Sequence, residues 1–220
     1  MNWIDLHSHN PKPEPAVTKI YSLSASDIRN KTNLDMPFVV GVHPWWIGKD
    51  TTPTLQNVAE LLEHPNCWGL GEVGLDRAIN TNFDEQKKVF EDALRLAQDK
   101  SLARVVLHCV RSYSDILETL KKVSYEGTLI FHDYNGNLET TQQLLKHKAY
   151  FSIGPKVLDP NTTIAKTISQ IPLESVFLET DDQDQTDIFA LHEGVAKILK
   201  MSVEALKNQI YKNFKSIGKI

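Results

Sequence analysis

Residues 104–108 read Arg-Val-Val-Leu-His. An apolar run this short is too brief for a helix. Its three apolar positions are consecutive rather than alternating, as expected for a parallel strand buried on both faces. Val39-Val40 and Val176-Phe177-Leu178 repeat the pattern. Working outward, strands are expected near Trp3–Leu6, Lys19–Leu23, Phe38–Val42, Trp68–Gly71, Arg104–Leu107, Thr128–Phe131, Tyr150–Ile153 and Ser175–Leu178. Helical spacing fills the gaps, over Ser26–Asn33, Thr54–Glu63, Asp84–Lys100, Ser112–Val123, Leu138–Lys146, Thr162–Gln170, Thr186–Leu199 and about Ser202–Ile217. Asp84 and Ser202 stand where N-caps belong. Strands alternating with helices predict an α/β fold, a single TIM-like (β/α)8 barrel, with a doubly wound open sheet as the alternative.

The 220 residues are 41% hydrophobic and 24% charged, ordinary for a globular chain and sufficient for one barrel domain over residues 1–220. The N-terminus has no apolar core of a signal peptide, and no run is long enough to span a membrane. Cys67 and Cys109 form no disulfide framework, so a cytoplasmic location is expected. A net charge of −4 is not that of a protein living on nucleic acid. The acids Glu174, Glu179, Asp181, Asp182, Asp184 and Asp187 run without a Lys or Arg between them, while lysines load the C-terminus. Asn10-Pro-Lys-Pro-Glu-Pro15 reads as a stiff loop after the first strand.

The chemistry sits at the strand ends. Asp5-Leu-His-Ser-His9 follows strand one, Glu72 strand four, His108 strand five, His132 strand six and Asp181 strand eight. In a barrel these ends share the face where active sites are built. Strand side chains alternate, so His7 and His9 share a face with Asp5. Imidazoles with carboxylates suit Zn²⁺, Mn²⁺, Fe²⁺ or Co²⁺. Taken singly, each histidine reads as a structural group and Glu72 as half of an ion pair. Taken together, their shared position points to a metal site. The glycines Gly69, Gly71 and Gly74 have G-x-G-x-x-G spacing, but no helix follows at once. They read as positions of close backbone approach rather than a phosphate cradle.

The set Asp5-Leu-His-Ser-His9, Gly41-Val-His-Pro-Trp45, Gly71-Glu-Val-Gly-Leu-Asp76, His108, Phe131-His-Asp-Tyr-Asn-Gly136, Ser152-Ile-Gly154, Leu178-Glu-Thr-Asp181 and Asn213-Phe214 resembles the TatD-type metal-dependent deoxyribonucleases among the amidohydrolase-like barrels. The resemblance implies one or two divalent ions (Zn, Mn or Mg). His7, His9 and Asp181 would hold one, and Glu72 would bridge to a second held by His108 and His132. It implies phosphodiester hydrolysis at DNA ends or on single strands, with His43 and Arg111 facing the substrate and Asp181 and Glu72 catalytic.

The chain departs from the family pattern in its loops. Asp182-Gln183-Asp184 follows Asp181, the strand-five arginine is displaced to Arg111, and the chain is short. Acids beside Asp181 repel a polyanion within the ~8–10 Å screening length, so weak, non-processive DNA cleavage is expected. Trp45, Trp46 and Tyr134 are candidate stacking surfaces. Hydrolysis of a small amide, lactone or phosphoester is the alternative, and an inactive metal-binding scaffold a second. Lowering the pKa of water from ~15.7 to ~7 amounts to roughly 12 kcal/mol, more than a side-chain base supplies.

Overall fold

The computed structural model describes residues 1–50, 52–182 and 187–218. Its strands are β1 (Trp3–Ser8), β2 (Val17–Ser22), β3 (Phe38–Val40), β4 (Cys67–Asp76), β5 (Arg104–Val110), β6 (Thr128–Phe131), β7 (Ala149–Ile153) and β8 (Val176–Leu178). Its helices are α1 (Ala25–Asn30), α2 (Leu55–Leu61), α3 (Phe83–Asp99), α4 (Tyr113–Val123), α5 (Leu138–Leu145), α6 (Thr163–Thr167), α7 (Ile188–Ile198) and α8 (Val203–Ser216). The eight strands form one sheet in the order β1 to β8. A parallel bridge between Ser8 and Asp181 joins the first strand to the chain just beyond the last. This is the TIM-like (β/α)8 topology expected from the alternation.

Two compact units make up the chain. One comprises Met1–Tyr21 with the chain from Ile130 onward. In it β1 pairs with β2, and β7 with β8 in the register Phe151↔Val176, all parallel. Leu206, Ile210 and Phe214 of α8 are buried, at one helical stripe. Each such side chain contributes roughly 1.5–3 kcal/mol on burial. Ser202 caps α8 as expected, accepting the Ala205 amide. Asn213, on the same helix, donates to the carbonyls of Leu173 and Val176 at 2.8 and 2.9 Å. It thereby fixes α8 against the entry to β8.

The other unit, Ser22–Leu129, contains β3, β4 and β5 as a parallel set. Gly74 on β4 lies so close to β5 that a Cβ there would come within 2.0 Å of the His108 carbonyl oxygen. Its φ of +147° also favours glycine. The G-x-G-x-x-G spacing thus serves strand packing.

Two sequence expectations shift. Asn82, not Asp84, caps α3, taking the amides of both Asp84 and Glu85; its side chain stands one residue before the helix begins, where an acceptor reaches those donors. As expected, the Pro-rich stretch after His9 leads straight into β2 with no helix, and α7 and α8 both follow β8. Glu72 and His108 lie inside their strands rather than beyond them, because β4 and β5 run on to Asp76 and Val110.

Candidate metal and catalytic site

In the first unit, the pairing of β1 with the segment after β8 sets the geometry. The Asp181 amide donates to the His7 carbonyl at 2.9 Å, and the His9 amide to the Asp181 carbonyl at 3.0 Å. This double tie holds Asp181 Oδ1 3.6 Å from His7 Nε2 and 3.5 Å from His9 Nε2. Asp181 takes a φ of +53°, which an aspartate tolerates better than most residues. Asp5, fully buried, anchors the turn by accepting the Thr180 amide at 2.9 Å and its hydroxyl at 2.8 Å. Burial pushes the Asp5 carboxyl up to about 7 against those hydrogen bonds.

His132 follows β6, with its ring centroid 4.3 Å from that of His7. Donor atoms of His7, His132 and Asp181 all lie within 4.8 Å of one another. Behind His132 stands Glu179, fully buried, with Oε1 3.6 Å from His132 Nδ1 and accepting the Asp133 amide at 2.6 Å. Burial alone would raise the Glu179 carboxyl. The nearby imidazoles of His132 and His7 hold it below the usual carboxylate range.

The second unit brings His43, Glu72 and His108 equally close. Glu72 Oε1 is 3.0 Å from His43 Nε2 and 2.7 Å from His108 Nδ1. Protons can be assigned from the partners. The Trp45 amide donates to His43 Nδ1 at 3.1 Å, so that nitrogen carries the lone pair. In neutral His43 the proton is then on Nε2, donated toward Glu72. That makes His43 an orienting donor rather than a metal ligand. For His108 the assignment reverses. Its Nε2–H donates to Asp76 Oδ2 at 3.1 Å, leaving Nδ1 to face Glu72. His43 Nε2 also lies 3.3 Å from that nitrogen, so the His43 proton is shared between Glu72 and His108 Nδ1 unless a cation takes its place there. Asp76 also accepts the Trp45 indole N–H at 2.7 Å and the Ala78 amide at 2.7 Å. Burial pushes its carboxyl up, but hydrogen bonds from His108, Trp45 and Ala78 overcome this and hold it at about 2.

Of the six residues expected as ligands, His7, His132 and Asp181 meet in the first unit, with His9 beside Asp181, and Glu72 meets His108 in the second; His132, expected with Glu72 and His108, falls with His7 instead, because β6 delivers it against β1. The donor set fits a borderline divalent cation: imidazole nitrogens, carboxylate oxygens, and a buried carboxylate behind each of His108 and His132. Asp76 and Glu179 were not singled out as site residues, although their spacing held a signal. Asp76 stands four residues beyond Glu72 on one strand, so that pair shares a face, and Glu179 stands two before Asp181, just past β8. Arg111 is exposed on the loop after β5 with a φ of +54°.

The stacking and charge expectations need correction. Tyr134 is buried, its hydroxyl hydrogen-bonded to Thr141 at 2.8 Å, and offers no stacking face. Trp45 is 51% exposed. Asp187 caps α7 by accepting the Ala190 amide, and Glu179 faces His132, so the acidic run is not one repelling patch. Asp184 lies outside the described residues.

The chain matches the family described as TatD related DNase over residues 16–219. It belongs to that family. The match begins beyond the Asp5–His9 motif. A human 3'-5' RNA nuclease, TATDN2, is 34% identical over 148 residues, which are 64% of this chain and 19% of that protein. The 3'-5' ssDNA/RNA exonuclease TatD of Escherichia coli K12 is 29% identical over 147 residues, 64% of this chain and 55% of that one. The chain therefore spans about a fifth of the first relative and just over half of the second. The crystal structure of YjjV, a TatD homologue from Escherichia coli K12, superposes with a TM-score of 0.83, covering 99% of this chain and 98% of that one at 19% identity. That likeness shows the fold. Among the described residues no helix is long and apolar enough to cross a membrane.

Proposed function

We propose that this chain is a metal-dependent hydrolase that cleaves phosphodiester bonds at the ends of single-stranded nucleic acid. The observation that carries the proposal is the grouping of His7, His132 and Asp181, and of Glu72 and His108 with His43 orienting Glu72, a buried carboxylate standing beside His132 and another bonded to His108. The nuclease relatives supply the bond type. One or two ions of Zn, Mn or Mg are the proposed cofactors, with His7, His9, His132 and Asp181 serving one group and Glu72 and His108 the other. When bound, such an ion polarises a phosphoryl oxygen and brings the pKa of a coordinated water toward ~7.

The chain's own residues do the rest. Asp181, held by two backbone hydrogen bonds, is the proposed acceptor of the attacking water's proton. His43 donates its Nε2–H to the Glu72 carboxylate and orients it. Exposed Arg111 offers a guanidinium, whose planar fork matches a phosphate.

A second reading, hydrolysis of a small phosphoester, is favoured by exposed Asp182 next to Asp181, where a long polyanion meets repulsion. The deciding experiment strips the protein with chelator, reloads it with Zn²⁺, Mn²⁺ or Mg²⁺, and assays 3'-labelled single-stranded DNA, RNA and a panel of small phosphoesters. Trimming of a single strand supports the proposal. Turnover confined to small esters selects the second reading, and full metal loading with no hydrolysis overturns both.

A further inference from the structure

Trp45 is out of place by ordinary burial rules. Among the described residues it is one of three large hydrophobics left exposed, with Met1 and Leu158, yet it is tied down by hydrogen bonds. It sits in a short 3₁₀ turn, Pro44–Trp46, where proline fixes the backbone entering the turn. Its amide donates to His43 and its indole N–H to Asp76. Both rings beside it belong to the candidate site. His43 meets the indole edge-on, with centroids 5.2 Å apart, and His108 lies at 6.0 Å. The indole is thus an exposed aromatic surface anchored to the catalytic cluster through Asp76.

A cavity of about 370 Å³ opens on this indole, lined by Trp45, Lys49, Ile79, Asn80 and Thr81. Its volume falls in the ~300–1,000 Å³ range of small-ligand pockets. The lining surface is mainly apolar, with Trp45 and Ile79 contributing an aromatic and an aliphatic side chain beside Lys49, Asn80 and Thr81. A flat π-system fits such a surface, and Lys49 brings a cation to the same lining.

We infer that the Trp45 cavity is a base-stacking subsite, which receives the nucleobase of a nucleotide flanking the scissile phosphodiester and sets its phosphate against Lys49. This deepens the proposed function and rests on it. Stacking is tolerant of base identity because every base has a π-face, so the subsite selects unpaired over paired ends rather than one sequence over another. Base stacking also supplies affinity that does not depend on a long basic track, which suits a chain of net charge −4.

Two measurements test it. In the first, the metal-free protein in EDTA is titrated with deoxyadenosine monophosphate or with 2-deoxyribose 5-phosphate. The indole N–H signals of the four tryptophans are followed by NMR, with Trp45 assigned from Trp45→Phe. A saturable shift at Trp45 with the nucleotide and none with the sugar phosphate is expected. Equal shifts with both ligands, or no shift with either, overturn the subsite whether or not the chain is a nuclease.

The second measurement compares variants on a short single strand. Trp45→Ala is expected to raise KM roughly 5- to 150-fold over Trp45→Phe, the range for loss of one base stack. Both variants lose the hydrogen bond to Asp76 and share whatever fall in kcat that causes, but Trp45→Phe keeps a stacking ring. Equal KM in the two variants would mean that Trp45 acts only through Asp76, and the stacking role would be withdrawn.

Discussion

His108 Nε2 lies 3.1 Å from Asp76 Oδ2, and this one hydrogen bond decides which face of the imidazole presents a lone pair. Histidines that bind metals commonly donate their other nitrogen to a carboxylate in this way. Asp76 is itself fixed by Trp45 and Ala78, and its backbone is clamped by Gln86 of α3. The Asp76 amide donates to Gln86 Oε1 at 2.8 Å, and Gln86 Nε2 returns a bond to the Asp76 carbonyl at 3.0 Å. Asp76→Asn keeps the shape but removes the charge. It is expected to weaken metal affinity at the Glu72–His108 group about 10- to 100-fold, measured by competition with a chromophoric chelator. Unchanged affinity would show that Asp76 does not orient His108 for a cation.

Glu179 plays the matching part behind His132, and its burial adds a cost in stability. Glu179→Ala leaves the Asp133 amide without its 2.6 Å acceptor. A buried unsatisfied donor costs about 1–3 kcal/mol, so urea unfolding of the metal-free protein should show a loss of that order. Glu179→Gln retains an acceptor and should recover most of it while still lowering metal affinity. Equal stability losses in both variants would mean that the negative charge, not the acceptor, carries the fold there.

Asp181 separates catalysis from folding. Because it takes a left-handed backbone conformation, asparagine is the substitution that avoids strain. Asp181→Asn should keep the parent circular dichroism and thermal midpoint while lowering kcat about 10²- to 10⁴-fold, the range for loss of a positioned proton acceptor. Parent-like turnover would remove Asp181 from the mechanism.

His192 supplies a pH dependence away from the site. It is buried on α7, its Nδ1–H donating to the Ile188 carbonyl at 2.8 Å, with Trp3 packed edge-on at 4.9 Å. Burial, opposed by that hydrogen bond and aided by the charge of Lys207, lowers its pKa from 6.5 to about 4. The unfolded chain then binds a proton that the folded chain refuses. The stabilising contribution is complete above pH 6.5 and is lost as pH falls through about 4, on the order of 2–3 kcal/mol in all. His192→Phe should flatten this part of the stability profile between those values, as read by denaturant unfolding at a series of pH values. A parallel profile for parent and variant would assign the acid sensitivity elsewhere.

Much of this molecule could be read from its sequence for simple physical reasons. Consecutive apolar residues such as Val105-Val106-Leu107 announce a strand covered on both faces, and the alternation of such runs with helical spacing leaves few architectures. Strand alternation likewise makes His7 and His9 legible as a pair on one face, and Glu72, His108, His132 and Asp181 as polar groups at or near the ends of apolar strands. What the sequence could not decide was set by distances between residues remote along the chain. Proton placement on His43 and His108 depends on which atoms lie within about 3 Å of each ring nitrogen. The conversion of Glu179 from surface acid to histidine partner, the burial of Tyr134 and the exposure of Trp45 depend likewise on what packs against each residue. Local pattern fixes the elements and their faces; tertiary packing alone decides which polar atoms meet and which aromatic ring is left facing solvent.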